Sequence, residues 1–475
     1  MPVLNENTIY APATVPGTGA ISIIRISGPE AFPIADKVVK CKRGKVADAA
    51  GYTILFGTVP TRDGKVLDEV LVSVFRAPHS YTGEDSVEIS CHASSYIVSE
   101  LMSMLALAGA RAAAPGEFTR RAFINGKMDL AQAEAVADVI ASQNAAAHRV
   151  AFNQMKGGFS SELKSMRAEL LEMVSLMELE LDFSEEDVEF ADRTHLIALL
   201  DRTMAHIGRL AASFRLGNAI KNGIPVAIVG ATNAGKSTLL NALLGEERAI
   251  VSDVHGTTRD TIEETLNIDG VLFRFIDTAG LRETSDIVEK IGIERSYGKL
   301  HSASIVIGMI DGTASEEQMR KSAEEIVSRI NPDEQKLWIL VNKCDLPGYE
   351  SSFNKIVTDL NSIVSSAGNQ SIEIIGISAK SGQGIERLKT SLASSQKDLI
   401  ADQSATLVTN LRHYEALVSA SASLGRAKEG LSASVPTDLV AQDIRESLYT
   451  LGSILGEIST DEVLGNIFRN FCIGK

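Results

Sequence analysis

One eight-residue stretch of the chain combines the residue types that bind phosphate. Residues 230–237 read GATNAGKS; they follow the apolar run 224–229 and lead into the run 238–243. Glycines let backbone N–H groups wrap around phosphate oxygens, and a helix N-terminus adds partial positive charge. The lysine supplies a point charge to the β/γ-phosphates, and the serine hydroxyl can ligate Mg²⁺. The pattern predicts a nucleotide-phosphate loop; the alternative is an ordinary glycine-rich turn before a helix.

Three further elements follow in order, each at the end of a predicted strand. The aspartate of DTAG at 277–280 can hold Mg²⁺ through water, and the glycine can offer its N–H to the γ-phosphate. The carboxylate of NKCD at 342–345 can accept N1–H and the N2 hydrogens of guanine, which adenine lacks. The segment SAK at 378–380 offers a backbone N–H to guanine O6. Four elements at the carboxyl ends of strands predict a site that binds GTP with Mg²⁺ and hydrolyses it.

A switch loop is expected between the first two elements, where residues 256–260 read GTTRD. The whole set resembles the translation-factor-related P-loop GTPases. In that resemblance Thr258 would join Ser237 in the Mg²⁺ shell and close on the γ-phosphate. The predicted GTP-binding residues are Asn233, Ala234, Gly235, Lys236, Ser237, Thr238, Ser252, Asp253, Val254, His255, Gly256, Thr257, Thr258, Asp277, Thr278, Ala279, Gly280, Asn342, Lys343, Asp345, Ser378, Ala379 and Lys380.

The residues that would drive hydrolysis differ from those of Ras-type enzymes. Those enzymes orient the attacking water with a glutamine, but Leu281 stands at that position and cannot hydrogen-bond water. The side-chain carbonyl of Asn233 can ligate a monovalent cation beside the β/γ bridge, where K⁺ would neutralise developing charge. Asn233 together with the switch at 256–260 resembles the cation-dependent GTPases that dimerisation activates. The alternative is that Asn233 only shapes the turn.

Three regions with different patterns must position these residues. Residues 1–125 hold short β-branched runs separated by glycine and proline, which predict an α/β domain. From about residue 127, apolar side chains recur every three or four positions, as at Leu163, Met166 and Leu170, which predicts long helices. The strands expected in the N-terminal region are 21–26, 52–59, 70–75 and 87–90.

A second α/β region interrupts the helical one. Its apolar strands alternate with helices, which predicts a parallel, doubly wound sheet. The expected strands are 224–229, 271–276, 304–310, 336–341 and 372–377. The chain is helical again after about residue 400, so the phosphate-loop region is predicted to be inserted into an all-helical domain.

The composition limits the class of protein. No apolar run reaches the roughly 20 residues of a membrane span, and residues 1–6 lack a signal-peptide pattern. The net charge of −15 is unlike that of a typical nucleic-acid binder, so any RNA contact needs a local basic patch or a partner protein. Four scattered cysteines without metal-ligand spacing fit reduced thiols in the cytoplasm.

Several longer segments narrow the resemblance to one family. They read PGEFTRRAF at 115–123, DLAQAEA at 129–135, AGLRETSDIVEKIGIER at 279–295 and FCIGK at 471–475. Together they closely resemble the MnmE (TrmE, ThdF) family of tRNA-modification GTPases over essentially the whole chain. The resemblance implies an N-terminal tetrahydrofolate-binding and dimerisation domain, a discontinuous helical domain and an inserted GTPase domain. Their expected bounds are 1–125, then 126–218 with 398–475, and 219–397.

The resemblance also implies an activity and partners. With the flavoprotein MnmG (GidA), the protein would install a carboxymethylaminomethyl or aminomethyl group at C5 of the wobble uridine of certain tRNAs. The one-carbon unit would come from 5-formyl- or methylene-tetrahydrofolate bound at the interface of a homodimer. FAD would belong to the partner, and the two proteins would form a heterotetramer. Pairing of GTPase domains with K⁺ would activate hydrolysis.

Catalytic residues are carried over by matching position. Glu289 would orient the attacking water through a second water, with Lys236, Thr258 and Arg282 also catalytic. A solvated helix charge is the alternative for Glu289, since that is the usual environment of a surface glutamate. The implied K⁺ ligands are Asn233, Ser252, Val254 and Thr257.

Four residues match folate-binding positions: Arg25, Glu88, Lys127 and Lys475. A pterin offers an amide-like edge to a carboxylate, and a glutamyl tail offers carboxylates to arginine or lysine. The alternatives are a strand-end charge for Arg25 and a frayed terminus for Lys475. Cys472 lies beside this site by resemblance, but a free cysteine is more often a small buried apolar residue than a nucleophile.

Two departures from the family pattern concern these sites. Thr232 stands where relatives commonly carry proline, and both residue types can occupy a turn. Residues 90–94 read SCHAS where relatives often carry GHGG, so the detail of the folate pocket is open, and no ligand role is predicted for His92.

Two other function classes compete with tRNA modification. An RNA-binding ribosome-assembly checkpoint GTPase usually carries a basic appendage or a second GTPase domain, whereas this chain has one phosphate loop and a net charge of −15. The other is a membrane-associated signalling or transport GTPase; no spanning segment is visible, which argues against a transporter.

Overall fold

The computed structural model describes residues 7–61, 63–182, 193–245, 264–276, 303–347, 349, 353, 357–359, 372–396, 406–433, 435–457, 461–469, 471 and 474. The chain forms two compact units. Unit 1 comprises Met1–Ala141, Ala151–Arg209 and Arg412–Lys475, and unit 2 comprises Ser142–Val150 and Leu210–Leu411.

Helices run through both units. In chain order they are α1 (Ala31–Val38), α2 (Ser95–Ala108), α3 (Glu117–Ile124), α4 (Leu130–Ala141), α5 (Ala145–Met155), α6 (Gly158–Asp182), α7 (Arg193–Ala212), α8 (Phe214–Asn222), α9 (Lys236–Gly245), α10 (Glu316–Val327), α11 (Ile385–Ser394), α12 (Leu411–Ser432), α13 (Thr437–Leu455) and α14 (Asp461–Arg469). Within the described ranges, no helix combines the length and apolarity needed to cross a membrane.

Unit 1 contains a seven-stranded sheet. Its strands are β1 (Ile9–Pro12), β2 (Ile21–Ser27), β3 (Lys40–Cys41), β4 (Thr53–Pro60), β5 (Val66–Phe75), β6 (Ser86–His92) and β7 (Arg111–Ala112). The order is β3-β4-β5-β6-β2-β1-β7; β7 pairs parallel with β1, and the other neighbours pair antiparallel. Side chains alternate along β5, so Val70, Val72 and Val74 are buried in one core with α1 and α2, while Leu71 is exposed.

The helical part of unit 1 is organised around α6. Leu163, Met166, Leu170, Val174 and Met177 recur every three or four residues and are all buried, as the apolar periodicity predicts. The long helix α13 packs along α6, and α14 packs on α3. The C-terminal helices therefore contact the elements that flank the N-terminal sheet.

Unit 2 contains a six-stranded sheet. Its strands are β8 (Ile224–Gly230), β9 (Glu264–Ile268), β10 (Val271–Phe275), β11 (Ile305–Asp311), β12 (Lys336–Asn342) and β13 (Ile372–Gly376). The order is β13-β12-β11-β8-β10-β9, with every neighbour parallel except the edge strand β9. Helices α9 and α11 cover one face and α10 covers the other, so the central strands are buried on both sides and read as continuous apolar runs.

The observed architecture confirms the predicted fold class, α/β combined with all-α. Each strand predicted from the sequence is present, and the carboxyl ends of β8, β11, β12 and β13 meet at one edge of the sheet. This is the edge at which an open α/β sheet binds its ligand.

Candidate nucleotide site and candidate folate site

The phosphate loop joins β8 to α9, and its backbone requires two of its glycines. Gly230 has a φ of 149°, and a Cβ there would collide with the carbonyl oxygen of Met309 on β11. Gly235 has a φ of 102°, and a Cβ there would collide with the side-chain amide of Asn342 on β12. Side chains rarely adopt these angles, so glycine is needed at both positions. The loop is thereby packed directly on the two neighbouring strands.

The middle of the loop turns at Asn233. Its φ is 62°, in the left-handed region that asparagine adopts more readily than most residues. Asn233 is exposed, whereas the next residue, Ala234, is fully buried. Asn233 therefore shapes the turn and is an exposed residue of the loop.

The Lys236 ammonium folds back over the loop. It donates to the carbonyl oxygens of Gly230 at 2.8 Å and Ala231 at 2.9 Å. Phosphate oxygens can replace these carbonyls as partners, because a lysine binds phosphate as a point charge without fixed geometry. Ser237 is the second residue of α9, so its hydroxyl lies at the helix N-terminus. The loop, the ammonium and this hydroxyl fit a magnesium-bound nucleotide phosphate.

Asn342 joins the phosphate loop to the guanine-specificity segments. Its side-chain nitrogen donates to the Ala234 carbonyl at 2.7 Å, and its side-chain oxygen accepts from the Ala379 N–H at 3.0 Å. The residue is only 4% exposed. One buried amide thus holds three of the four predicted elements together.

Asp345 of the segment 342–345 and Ser378 of the segment 378–380 are joined by a hydrogen bond. A hydrogen bond from the Ser378 hydroxyl is the main reason why the pKa of Asp345 lies below its ordinary value, with Lys380 contributing a smaller attraction. The carboxylate is exposed and ionised at neutral pH, as recognition of N1–H and N2 of guanine requires.

Asp311 is a residue of this site that the sequence reasoning missed. It ends β11 and accepts a hydrogen bond from the Lys343 ammonium at 2.6 Å and from Thr313. Burial raises the pKa of Asp311, but hydrogen bonds from Lys343 and Thr313 outweigh burial and hold the pKa below its ordinary value. Lys343 has a φ of 69°, so the ion pair fixes a lysine whose backbone is unusual.

Thr238 is the third residue of α9 and is exposed. The other predicted nucleotide and metal residues lie outside the described residues. They are Ser252, Asp253, Val254, His255, Gly256, Thr257, Thr258, Asp277, Thr278, Ala279, Gly280, Arg282 and Glu289. Within the described part of the chain, no group of three or more His, Cys, Asp or Glu side chains is placed to hold a metal ion.

Arg25 and Glu88, two of the predicted folate residues, form an ion pair on unit 1. They stand opposite each other on β2 and β6, and the Arg25 guanidinium donates to one Glu88 oxygen from Nε at 2.9 Å and Nη2 at 2.8 Å. The guanidinium carbon lies 5.3 Å from the ring centre of Tyr81 and 5.7 Å from that of Phe118. Arg25 lies inside β2, two residues before the strand ends.

The C-terminal segment reaches this ion pair. Arg25 Nη1 donates to the Gly474 carbonyl at 3.4 Å. Gly474 is buried with a φ of 98°, and a Cβ there would collide with the carbonyl oxygen of Pro12 on β1. Burial raises the pKa of the neighbouring Tyr81 more than Thr119 and Arg25 lower it, so its hydroxyl is neutral. The arrangement is a part-buried cluster of charged and aromatic side chains that the Gly474 carbonyl contacts.

Lys127, the third predicted folate residue, contacts the loop that carries Tyr81. Its ammonium donates to the Pro78 carbonyl at 2.9 Å. A Cβ at Gly83 would lie 3.3 Å from Cγ of Lys127, so the loop packs closely on the lysine stem. Lys475 and Cys472 lie outside the described residues.

His92, in the segment 90–94 that departs from the family pattern, pairs with Asp68. The His92 ring nitrogen Nδ1 lies 2.7 Å from the buried Asp68 carboxylate, and the His92 N–H donates to the same side chain at 2.9 Å. Cys91 is buried, and burial first and Asp68 second raise its pKa to about 11, which makes it an unreactive thiol.

A second cluster that the sequence reasoning missed lies among the helices of unit 1. Glu134 on α4 accepts from Arg412 at 2.9 and 3.1 Å and lies 2.6 Å from Nε2 of His413, both at the start of α12. Burial alone would raise the pKa of Glu134, but His413 and Arg412 lower it to about 2. Glu134 stands inside the segment 129–135, so its motif was visible but its partners were not.

The fold of unit 2 and its nucleotide site define a P-loop guanine-nucleotide-binding domain. The same chain also contains the sheet and the helices of unit 1. Comparison with known proteins identifies the family. The protein-family model described as "GTP-binding protein TrmE N-terminus" matches residues 8–127. The family model described as "MnmE helical domain" matches residues 130–472.

Full-length relatives agree with these matches. A protein of Bacteroides thetaiotaomicron named tRNA modification GTPase MnmE is 51% identical over 474 residues, which cover 99% of this chain and 100% of that protein. A protein of the same name from Flavobacterium johnsoniae is 50% identical over 479 residues and is covered in full, as is this chain. The chain therefore belongs to the MnmE family of tRNA modification GTPases.

Proposed function

We propose that this chain binds and hydrolyses GTP within a tRNA-modifying complex. The observation that carries the proposal is the buried Asn342 bridge, which joins the phosphate loop at Ala234 to the base segment at Ala379. The exposed, ionised Asp345 beside this bridge suits guanine rather than adenine, because adenine cannot supply the two hydrogens it accepts.

Family membership supports the modification step of this proposal. With the flavoprotein MnmG and its FAD, the chain installs a carboxymethylaminomethyl or aminomethyl group at C5 of the wobble uridine of certain tRNAs, in the cytoplasm. The Arg25–Glu88 pair between Tyr81 and Phe118 supports a folate site, because it combines a carboxylate for a pterin edge with aromatic surface. Lys127 and Lys475 bind the tail, and a tetrahydrofolate derivative supplies the one-carbon unit. The chain acts as a homodimer in a heterotetramer with MnmG.

Hydrolysis uses Mg²⁺ and K⁺ bound with the nucleotide. Ser237 and Thr258 hold Mg²⁺, and Asn233, Ser252, Val254 and Thr257 hold K⁺, which supplies positive charge beside the β/γ bridge. Support comes from the exposure of Asn233 within the phosphate loop. Glu289 orients the water, and Arg282 responds to the γ-phosphate. Pairing of the GTPase domains of the homodimer completes this site.

The catalytic assignment is tested by GTP hydrolysis at fixed ionic strength in KCl and in NaCl. We expect K⁺ to stimulate the wild type, and Asn233→Ala and Glu289→Ala to lose most turnover while still binding GTP. Hydrolysis that ignores K⁺ together with an active Glu289→Ala variant would contradict the cation mechanism and leave the GTP site standing.

The modification assignment is tested by the tRNA nucleosides of a deletion strain. We expect the modified wobble uridines to disappear and to return when the chain is supplied again. Wobble uridines that stay normal in the deletion strain would refute the tRNA role without touching GTP hydrolysis.

A further inference from the structure

A basic segment lies at the edge of the unit 1 sheet. Between residues 37 and 47 the chain carries five basic residues and no acidic one, although its net charge is −15. The five side chains belong to exposed residues of the end of α1, β3 and the turn after it. They are Lys37, Lys40, Lys42, Arg43 and Lys45, named here the edge patch.

The nearby acidic groups neutralise little of this charge. The Asp36 carboxylate accepts the N–H groups of Val46 at 2.7 Å and Ala47 at 3.1 Å. Lys40 on β3 and Glu69 on β5 both stand opposite Thr58 of β4, so the strand β4 lies between them. Asp48 follows the patch. Among the described residues, no carboxylate pairs with Lys40, Arg43 or Lys45.

An exposed aromatic ring accompanies the cations. The Lys42 ammonium lies 4.4 Å from the ring centre of Phe56 on β4, and Phe56 is 38% exposed. Lys40 lies on β3 and Lys42 directly follows the strand, where its N–H donates to the Phe56 carbonyl at 2.9 Å, so both cations belong to this edge of the sheet. Cations beside an exposed ring are the combination with which proteins hold a phosphate backbone and stack a base.

We propose that the edge patch binds the sugar-phosphate backbone of RNA, which for this chain is its tRNA substrate. The inference rests on the proposed function, because that function requires RNA contact by an acidic protein. Counterion release from phosphates supplies the affinity, and the remainder of the surface, which carries the negative charge, keeps the RNA at this edge.

Two other roles for the edge patch have to be distinguished from RNA binding. Lysines on an edge strand prevent sheet-to-sheet aggregation without binding anything. Anionic lipid also attracts basic segments. RNA is favoured because an exposed ring suited to stacking, that of Phe56, lies beside the edge patch, and because the patch lies at a sheet edge rather than along an amphipathic helix.

The test is binding of unmodified tRNA to the full-length protein, measured by fluorescence anisotropy across a KCl series. The variant is Lys40→Ala/Arg43→Ala/Lys45→Ala, which spares Lys42 on Phe56. Its control is Arg320→Ala/Lys321→Ala/Arg329→Ala, three exposed cations at α10 and its end. We expect the patch variant to lose at least about tenfold in affinity at moderate salt and its log–log salt slope to fall by about 2, while the control matches wild type.

Each other outcome overturns the proposal. An unchanged slope and affinity remove the RNA role, and aggregation of the patch variant with unchanged tRNA affinity of its monodisperse fraction indicates edge protection alone. Loss of binding to phosphatidylserine vesicles with tRNA binding intact indicates a membrane surface. A patch variant that restores wobble modification fully in the deletion strain refutes the patch but not the proposed function. If the triple variant does not fold, Lys40→Gln/Lys45→Gln answers the same question.

Discussion

The two units position their functional residues by different means. In unit 1, separate elements are joined by ion pairs with little exposure, such as Arg121 with Glu84 and the Glu134 cluster. In unit 2, the nucleotide site is held by two glycines and the amide of Asn342, and its ion pair between Lys343 and Asp311 is partly exposed. A buried ion pair fails when one partner is removed, whereas a site built on close backbone contact fails when volume is added. The two units should therefore be sensitive to opposite kinds of mutation.

The largest effect is expected from Glu134→Ala, which leaves Arg412 and His413 without their buried carboxylate. Loss of one partner of such a cluster costs about 3–5 kcal/mol of the free energy of unfolding. Urea unfolding should show it by circular dichroism, which reports the helices. Trp338, the only tryptophan of the chain, lies on β12 of unit 2 and should keep its fluorescence transition.

The matched control is Glu386→Ala, which removes a strongly exposed partner of Lys389 and should cost no more than about 1 kcal/mol. If the Trp338 transition moved together with the circular dichroism transition in Glu134→Ala, the two units would unfold as one, and the contrast between them would be lost.

Next in size is Gly235→Ala, which adds volume against Asn342 at a backbone angle that disfavours alanine. We expect GDP affinity, measured by calorimetry, to fall about 100-fold, about 3 kcal/mol, with the unfolding of unit 1 unchanged. Gly245→Ala at the end of α9 is the control, because no atom lies within 4 Å of the added methyl group. Full GDP affinity in Gly235→Ala would show that the loop does not depend on its contact with β12.

A smaller effect is expected from Arg25→Lys, which keeps the charge but loses the two-pronged contact with Glu88. Binding of 5-formyl-tetrahydrofolate should weaken about tenfold, since a charged hydrogen bond contributes about 1.5–3 kcal/mol. Arg76→Lys provides the comparison, because Arg76 donates to two backbone carbonyls and, like Arg25, lies over a ring, that of Phe32. Equal folate affinity in wild type and Arg25→Lys would remove the ion pair from the site.

The smallest effect is expected from Asp311→Asn, which weakens the hold on Lys343 by about 1 kcal/mol at neutral pH. Because folding lowers the pKa of Asp311, its contribution is present above the ordinary value of 3.8 and is lost as the pH falls through the lowered value. The difference between wild type and variant in Trp338-monitored unfolding should therefore shrink below about pH 4. A difference that grows in acid would mean that the carboxyl is not stabilised as an anion.

The sequence predicted the strand β8, the phosphate loop and the helix α9 because these parts are contiguous. A loop of eight residues contains both its glycines and its lysine, so spacing alone specifies the geometry. Asp311 carried no such signal, since it is a single acidic residue at a strand end whose partner, Lys343, is 32 positions away. The edge strand β9, which reads ETLNI, was missed because alternation of polar and apolar residues over five positions is a weak pattern.

The folate candidates and the Glu134 cluster also depend on partners that lie far apart in the sequence. Arg25 and Glu88 come together only through the register of β2 with β6, which nothing local in either strand specifies. Glu134 was visible within a family segment, but its partners begin a helix 278 positions away. Residue identity was therefore predictable, and partnership across the chain was not.

The hydrogen bond from Arg25 to Gly474 spans 449 positions of the chain. During translation β2 emerges, and its sheet can fold, long before Gly474 has been made. The hydrogen bond from Arg25 to Gly474 therefore forms late, on a sheet that can already be folded.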